Sequence, residues 1–444
     1  MKKQIIISLF LTMASICYAQ KADSIAFLQK NQETGIATDG SLLKYRRSSL
    51  YSVIIEHPNF PYGEQIDSAF FAMPMPDKFN DHNLGERVII SNAVKMKKGG
   101  KKKASSNEDD INVFISDNAV ARNLVAKWFD RDTVTGAFDM NLIQERGFYD
   151  ASQIDIAAAE SSARNVSMLG DAGEELIGKT FMIVNDITFA DKGEKSAKAA
   201  GVFATLGKIA STATGNDNYA QLGNVTATAV NEIDGFSVNI TSYLYRLVWN
   251  DETMGTFYSQ YWYDKDNIDT EKKALFDNSD IFKLEYVGST TTSASNVASK
   301  SFSKKSKGEQ MLKVCARAVD KSIVELQREY EEFKVNIPIT VINQEEKTVE
   351  VPIGLKEGLN ENSVYEVLMK VEDENGHVEY KKVGTIKPVE GKIWDNRYGA
   401  LDDVDEGEKD NDGGDPSLKA STFKIVSGAN QIVLGCLARE MKIK

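Results

Sequence analysis

Cysteine and histidine are scarce in this chain: three of each stand among 444 residues. Cys17 lies in an N-terminal apolar run, which leaves Cys315 and Cys436. Two cysteines cannot build a disulfide framework, so stability has to come from hydrophobic cores. Their spacing has no metal-site signature, and two buried thiols are expected ahead of a mutual disulfide. His57, His82 and His377 fall in no H-x-H or H-E-x-x-H spacing that would hold zinc. No serine elbow, P-loop or G-x-G-x-x-G turn is read here. Basic charge is short as well. Lys and Arg number 53 against 65 Asp and Glu, a net charge of −12, so nucleic acid is not an expected partner. Beyond the N-terminus no segment reaches the ~18 uninterrupted apolar residues of a membrane helix, and no transmembrane helix is expected in the mature chain.

What is present begins at the N-terminus. Met1-Lys2-Lys3 is a short basic start, Ile5 to Ile16 an apolar core, and Cys17-Tyr18-Ala19 places a small residue at a cleavage position. That is the layout of a secretory signal peptide over residues 1–19, and it implies export across the inner membrane to the periplasm or the outer membrane. Ile16 before Cys17 does not make a lipobox. Hydrophobic content of 42% and charged content of 27% are ordinary globular values, and the length allows two or three domains.

Along the chain, Lys21 to Lys30 reads as a short helix and Tyr51 to Ile55 as a strand. Gly63 to Met73 reads as a helix, Asp77 to Asn83 as a loop and Val88 to Ile90 as a strand. Lys95 to Asp110 is expected to be a loop and Ile111 to Ile115 a strand. Ser116 or Asp117 then caps a helix whose face carries Val120, Leu124, Val125, Trp128 and Phe129. Met140 to Arg146 is helical or strand-like and stops at Gly147. Ala151 to Arg164 and Asp171 to Gly178 read as helices, and Phe181 to Phe189 as a strand. Gly193 to Val230 is an Ala/Gly/Thr-rich insert, either packed on the domain or touching a membrane.

Phe236 to Trp249 is the strongest strand signal. Phe236, Val238, Ile240 and Leu244 fall on one side, and Tyr243, Tyr245 and Trp249 on the other. Thr253 to Tyr263 is expected to pair with it as a hairpin. Ile281 to Val287 adds a strand, Ser289 to Lys307 an exposed loop, and Glu309 to Glu332 a long helix. From Phe333 the composition turns β-rich, with a hairpin across Asn375-Gly376 and closing strands at Phe423 to Val426 and Gln431 to Leu437. The expected fold is an α/β (α+β) main domain over residues 20–333, its mixed sheet flanked by helices, plus a small β-barrel-like domain over 334–444.

Candidate sites are few. The aromatic run Phe257, Tyr258, Tyr261, Trp262 and Tyr263 is either sheet core or a sugar-binding platform. His57, Asp81 and His82 are candidates for a hydrolase site if the fold brings them together. Glu408, Asp410 and Asp412 followed by Gly413 echo an EF-hand loop. However, the first ligand is Glu and the twelfth position is Lys419, so a solvated loop is expected rather than a calcium site. No cofactor is implied.

The order of elements resembles the CsgG family of envelope proteins, which includes the curli secretion channel and LpoB-type proteins. The likeness covers roughly residues 111–333. Ala119 to Phe129 followed by Phe138 to Arg146 is similar to the family's helix and the strand that ends in an arginine. Asp171 to Leu176 leading into Phe181 to Ile187 is similar to the helix before its next core strand. Phe236 to Trp249, a second strand and Glu309 to Glu332 complete the unit, and Val383 to Lys387 resembles the small β domain that follows it in some envelope assembly proteins. The resemblance implies a non-enzymatic interaction or assembly protein of the cell envelope. Its partners are envelope proteins or further copies of itself, a ring-forming homo-oligomer included. The alternatives are a carbohydrate-binding or surface-adhesion module and a hydrolase at His57, Asp81 and His82.

Overall fold

In the computed structural model the described residues are 48–57, 62–76, 78–91, 107–150, 176–190, 237–295, 306–372, 378–400 and 414–441. The signal-peptide region, the Lys21 to Lys30 and Ala151 to Arg164 segments, the insert 193–230, and Glu408, Asp410 and Asp412 lie outside them.

The first sheet is built around β1 (Ser48–Glu56), whose residues are nearly all buried. Its side chains alternate between two cores. Leu50 and Ile54 point into one, and Tyr51, Val53 and Ile55 into the other. A strand buried on both faces needs helices on both, and the chain supplies them. After β1 come α1 (Gly63–Ala72), β2 (Phe79–Asp81) and β3 (Val88–Ile90). Then follow α2 (Asn107–Asp117), α3 (Val120–Trp128), α4 (Asn141–Asp150) and β4 (Thr180–Ala190). β5 (Ser237–Leu247), α5 (Asp251–Thr256), α6 (Thr270–Asp277), β6 (Leu284–Ser295) and α7 (Lys307–Glu329) complete the unit. The strand order is β2-β1-β4-β5-β6, with β3 also on β1. β2, β3 and β4 run parallel to β1, whereas β5 is antiparallel to β4 and β6 antiparallel to β5. α1 and α7 cover one face, and α2 to α6 the other.

Several expectations are corrected. Ile111 to Ile115 is helical, inside α2: Ile111 and Phe114 are buried while Val113 is exposed, a spacing of three rather than two. Ser116 and Asp117 therefore end a helix instead of capping one. α3 starts from Ala119 at φ 45°, with no side-chain cap. Met140 to Arg146 is helical, which removes the strand ending in an arginine, and Gly147 does not stop α4. Phe79–Asp81 is a short strand within the expected loop. Thr253 to Tyr263 is not a hairpin strand. Asn250 accepts a bond from the Thr253 N–H and starts α5, which runs into a π-turn over Phe257–Tyr261. Ser289 to Ser295, expected as loop, belongs to β6.

A bulge in β6 opposite Leu244 and Tyr245 leaves Gly288 beneath the Tyr330 ring, where a Cβ would overlap it. Gly288→Ala is expected to lower stability by about 1–3 kcal/mol, measurable by urea unfolding.

The C-terminal part is a curled antiparallel sheet, not a closed barrel. Its strands are β7 (Ile337–Pro338), β8 (Val341–Asn343), β9 (Thr348–Val351), β10 (Tyr365–Glu372), β11 (Val378–Pro388), β14 (Ser421–Ser427) and β15 (Leu437–Glu440). β12 (Ile393–Trp394) and β13 (Gly414–Asp415) form a separate parallel pair. In the order β7-β15-β10-β11-β14-β9-β8 the end strands do not meet, so the sheet fits the barrel-like expectation in its curl but does not close. The hairpin of β10 and β11 is as expected, but the last strand starts at Leu437, not Gln431. α7 ties the two sheets together. The Arg328 guanidinium donates to both Glu440 carboxylate oxygens (3.1 and 3.4 Å) and to the Gly358 carbonyl (3.1 Å). Gly358 stands at φ +72°, where a Cβ would also press on Val324 and Arg328.

Candidate functional site

The chain leaving β1 crosses to β2 through α1 on one face. The chain entering β4 has come from β3 through α2, α3 and α4 on the other. β1 and β4 are adjacent and parallel, so their carboxyl ends flank the point where the crossovers diverge, the place where open α/β sheets bind ligands. His57 follows directly on β1, and Asp186 stands on β4 opposite Ile55. His57 Nε2 lies 2.6 Å from Asp186 Oδ1. Asn107, the first residue of α2, donates to Asp186 Oδ2 at 2.6 Å and to the Tyr243 hydroxyl at 3.3 Å. Burial pushes the Tyr243 phenol up, against the pull of the Asn107 bond. The carboxylate is fixed by two partners and in turn orients the imidazole, an arrangement suited to moving a proton or holding a polar ligand.

Asp81 and His82 are elsewhere. Asp81 pairs with Leu50 near the opposite end of β1, so at ~3.3 Å per residue His57 lies roughly 20 Å away. The three residues do not converge, and the shared pocket expected of them does not form. His82 is fully buried. Its Nε2–H donates to the Leu124 carbonyl (3.0 Å), and its Nδ1 accepts from Arg146 (3.1 Å). Burial and the neighbouring guanidinium hold its pKa well below the usual range, and the imidazole neutral. Arg146 also donates to Ser49 Oγ (2.8 Å) and lies 4.2 Å over the Trp128 ring; burial pushes its pKa down to about 10. This is a structural network at the amino end of the sheet.

The aromatic run is core. Phe257, Tyr261 and Tyr263 are buried, and Tyr258 and Trp262 are half-buried against the same cluster. Phe257 stacks on Phe129 at 4.3 Å and meets Phe138 edge-on at 5.1 Å. Only Tyr258 and Trp262 keep part of a ring face toward solvent.

Gly173, Gly178, Lys179 and Thr180 do satisfy the written P-loop spacing, contrary to the expectation that the chain has none. The context is wrong for a phosphate cradle: Lys179 runs into strand β4 rather than a helix, and Thr180 is buried with its hydroxyl bonded to Trp128. Among the described residues no group of three His, Cys, Asp or Glu side chains could hold a metal ion. Cys315 and Cys436 are buried and unpaired, in separate cores.

A cleft of about 930 Å³ opens between Phe71–Met75, the connection from Asp81 to Val88, and Tyr398. That connection leaves the edge of β1 at Ser52, and two side chains fill the gap. Asn83 accepts from the Ser52 N–H, and Arg87 donates to its carbonyl, both at 2.8 Å.

The edges of the two large sheets differ sharply. β2 and β3 are three residues each, β7 two and β8 three. β6 has twelve residues and pairs with β5 alone among the described strands.

No family model and no curated protein matches the chain.

Proposed function

We propose that this chain is an exported, non-enzymatic assembly protein of the cell envelope, of the CsgG-like kind, and that it makes its contacts through the outer edge of β6. The observation that carries this reading is the length of that edge. Natural sheets blunt their edges with short strands, charges or bulged loops, because open backbone groups recruit other strands. Three of the four large edges here are short, whereas β6 runs for twelve residues with Glu285 as its one charge. The reading also draws on the order of elements: Phe181 to Ile187 lies in β4, Phe236 to Trp249 overlaps β5 and Glu309 to Glu332 overlaps α7, whereas residues 171–175 lie outside the described residues. The basic-apolar start at Met1 to Ala19 supports export.

The test is made in cells, with a photo-cross-linking amino acid at Thr291, an exposed position of β6. A discrete adduct in the envelope fraction is the expected result. Recovery of the chain in the cytoplasm, or no adduct from any β6 position, would remove the proposal.

A second reading has one observation behind it, the His57–Asp186 pair at the carboxyl end of β1. On that reading the chain is a hydrolase and His57 takes the proton from water. His57→Ala and Asp186→Asn would then each lower turnover by about 100-fold or more, read on a panel of esters and amides. Variants that match the wild type, or a wild type without turnover, would dispose of it.

A further inference from the structure

The partner of β6 can be narrowed from the groups that line its edge; the inference rests on the edge being the contact surface. Along an antiparallel strand the backbone groups of successive residues alternate between facing the neighbour and facing away. Ser289 faces away from β5. Its N–H donates to the Tyr330 hydroxyl (3.2 Å), and that hydroxyl donates to its carbonyl (3.3 Å). By the same alternation Thr291, Ser293 and Ser295 face outward. The Thr241 and Thr291 hydroxyls are bonded at 3.0 Å, which fits a pair whose backbone groups point away from each other. The Lys321 ammonium, on a flexible side chain, reaches the Ser293 carbonyl at 3.3 Å. Tyr330 thus closes the edge at Ser289, and from Thr291 to Ser295 no described strand pairs with it, Lys321 reaching only the Ser293 carbonyl.

We propose that a second copy of this chain adds its own β6, antiparallel, across Thr291 to Ser295, joining two sheets about a twofold axis. Three observations select this occupant. A head-to-tail contact would need a long edge on the far side of the sheet, and that side is β2 and β3, three residues each and split by the 82–87 connection. The edges of the second large sheet are shorter still or equal, so among the described strands the long edge a second copy offers is β6 itself, and a strand that meets itself does so isologously. Charge permits it: Val287 to Ser295 is uncharged, and antiparallel pairing places the two Glu285 carboxylates at opposite ends. The side chains favour it too, because Thr and Ser across from one another repeat the hydroxyl pairing already made between Thr241 and Thr291. Tyr330 acts as an end stop that limits how far the partner strand extends.

The test uses the purified mature protein in a dilution series read by native mass spectrometry, together with the adduct formed at Thr291. The wild type is expected to dimerise, and the adduct to consist of this chain alone. Thr291→Lys with Ser293→Lys places four ammonium groups at the joint and is expected to weaken dimerisation by about 100-fold or more. Both positions are exposed, so the melting temperature of the monomer should hold. Tyr330→Phe removes the stop and is expected to tighten the dimer. A wild type that stays monomeric while the adduct contains a different chain would overturn the homodimer and leave the edge reading standing. A monomer with no adduct would overturn both. A dimer indifferent to the lysine pair and to Tyr330→Phe would overturn the inference by placing the joint elsewhere.

Discussion

Phe257→Ala is expected to lower the unfolding free energy by about 3–5 kcal/mol, the usual cost of emptying a fully buried aromatic site. Phe257 has no exposed surface. Its ring lies within 4.3 to 5.6 Å of the rings of Phe129, Phe138 and Trp249, from other parts of the chain, and of the adjacent Tyr258. The neighbours are large, rigid and anchored from several directions, so they cannot collapse into the space. The loss should appear as a lower urea midpoint with the slope unchanged. The same experiment separates a core role from a sugar platform. If the aromatic run bound glycans, substitution at its half-buried members Tyr258 and Trp262 would abolish glycan retention at unchanged stability. The buried packing predicts instead that stability falls and that there is no retention to lose.

Asp67→Asn is expected to stabilise the protein, and by more as the pH rises. Asp67 sits half-buried on α1. Burial first, then the Glu56 and Glu64 carboxylates, push its pKa up to about 8. Between the ordinary value of 3.8 and that raised value, the unfolded chain has released a proton that the folded chain retains. The folded state binds more protons there, so stability falls with rising pH across the window and levels off above it. The asparagine amide has no proton to release. The difference in melting temperature between variant and wild type should therefore be near zero at pH 4, grow through pH 6 and 7, and be largest above pH 8. Since the site is partly open to solvent, about 1–3 kcal/mol is a reasonable ceiling at high pH. A difference that does not change with pH would mean that Asp67 ionises normally and that the gain has another source.

Much of the fold is written locally in the sequence. β1, β4 and β5 carry apolar alternation dense enough to bury both faces, and α3 and α7 carry apolar positions three and four apart. The misread segments fail for nameable reasons. Ile111 to Ile115 looks like a strand because its short apolar run contains both Ile111 and Phe114, yet Val113 between them is exposed. Five aromatics within Thr253 to Tyr263 suggested a strand through β-propensity. Phe257 with Tyr261, and Tyr258 with Trp262, are however four apart, the helical spacing, and Asn250 is a good helix start. Ser289 to Ser295 has almost no apolar signal, because its strand conformation is imposed by the β5 ladder rather than by its own side chains.

The polar site was half legible. His57 could be singled out because histidines are rare. Its partner Asp186 could not, since the pairing depends on β4 lying beside β1, a long-range fact. Asn185 and Asp186 interrupt an otherwise apolar strand, and that interruption was the available hint. The pairing of His82 with Arg146 was hidden for the same reason.

The two thiols give the molecule a built-in readout that requires no engineering. Cys315 is packed in the core shared by β1, β4, β5, α1 and α7, and Cys436 in that of the second large sheet. Burial raises the pKa of both, that of Cys315 to about 12, so neither offers a thiolate to an electrophile while its own half is closed. An alkylating reagent added to the native protein would therefore record openings, one cysteine per sheet. The order in which Cys315 and Cys436 acquire label would tell which half lets go first.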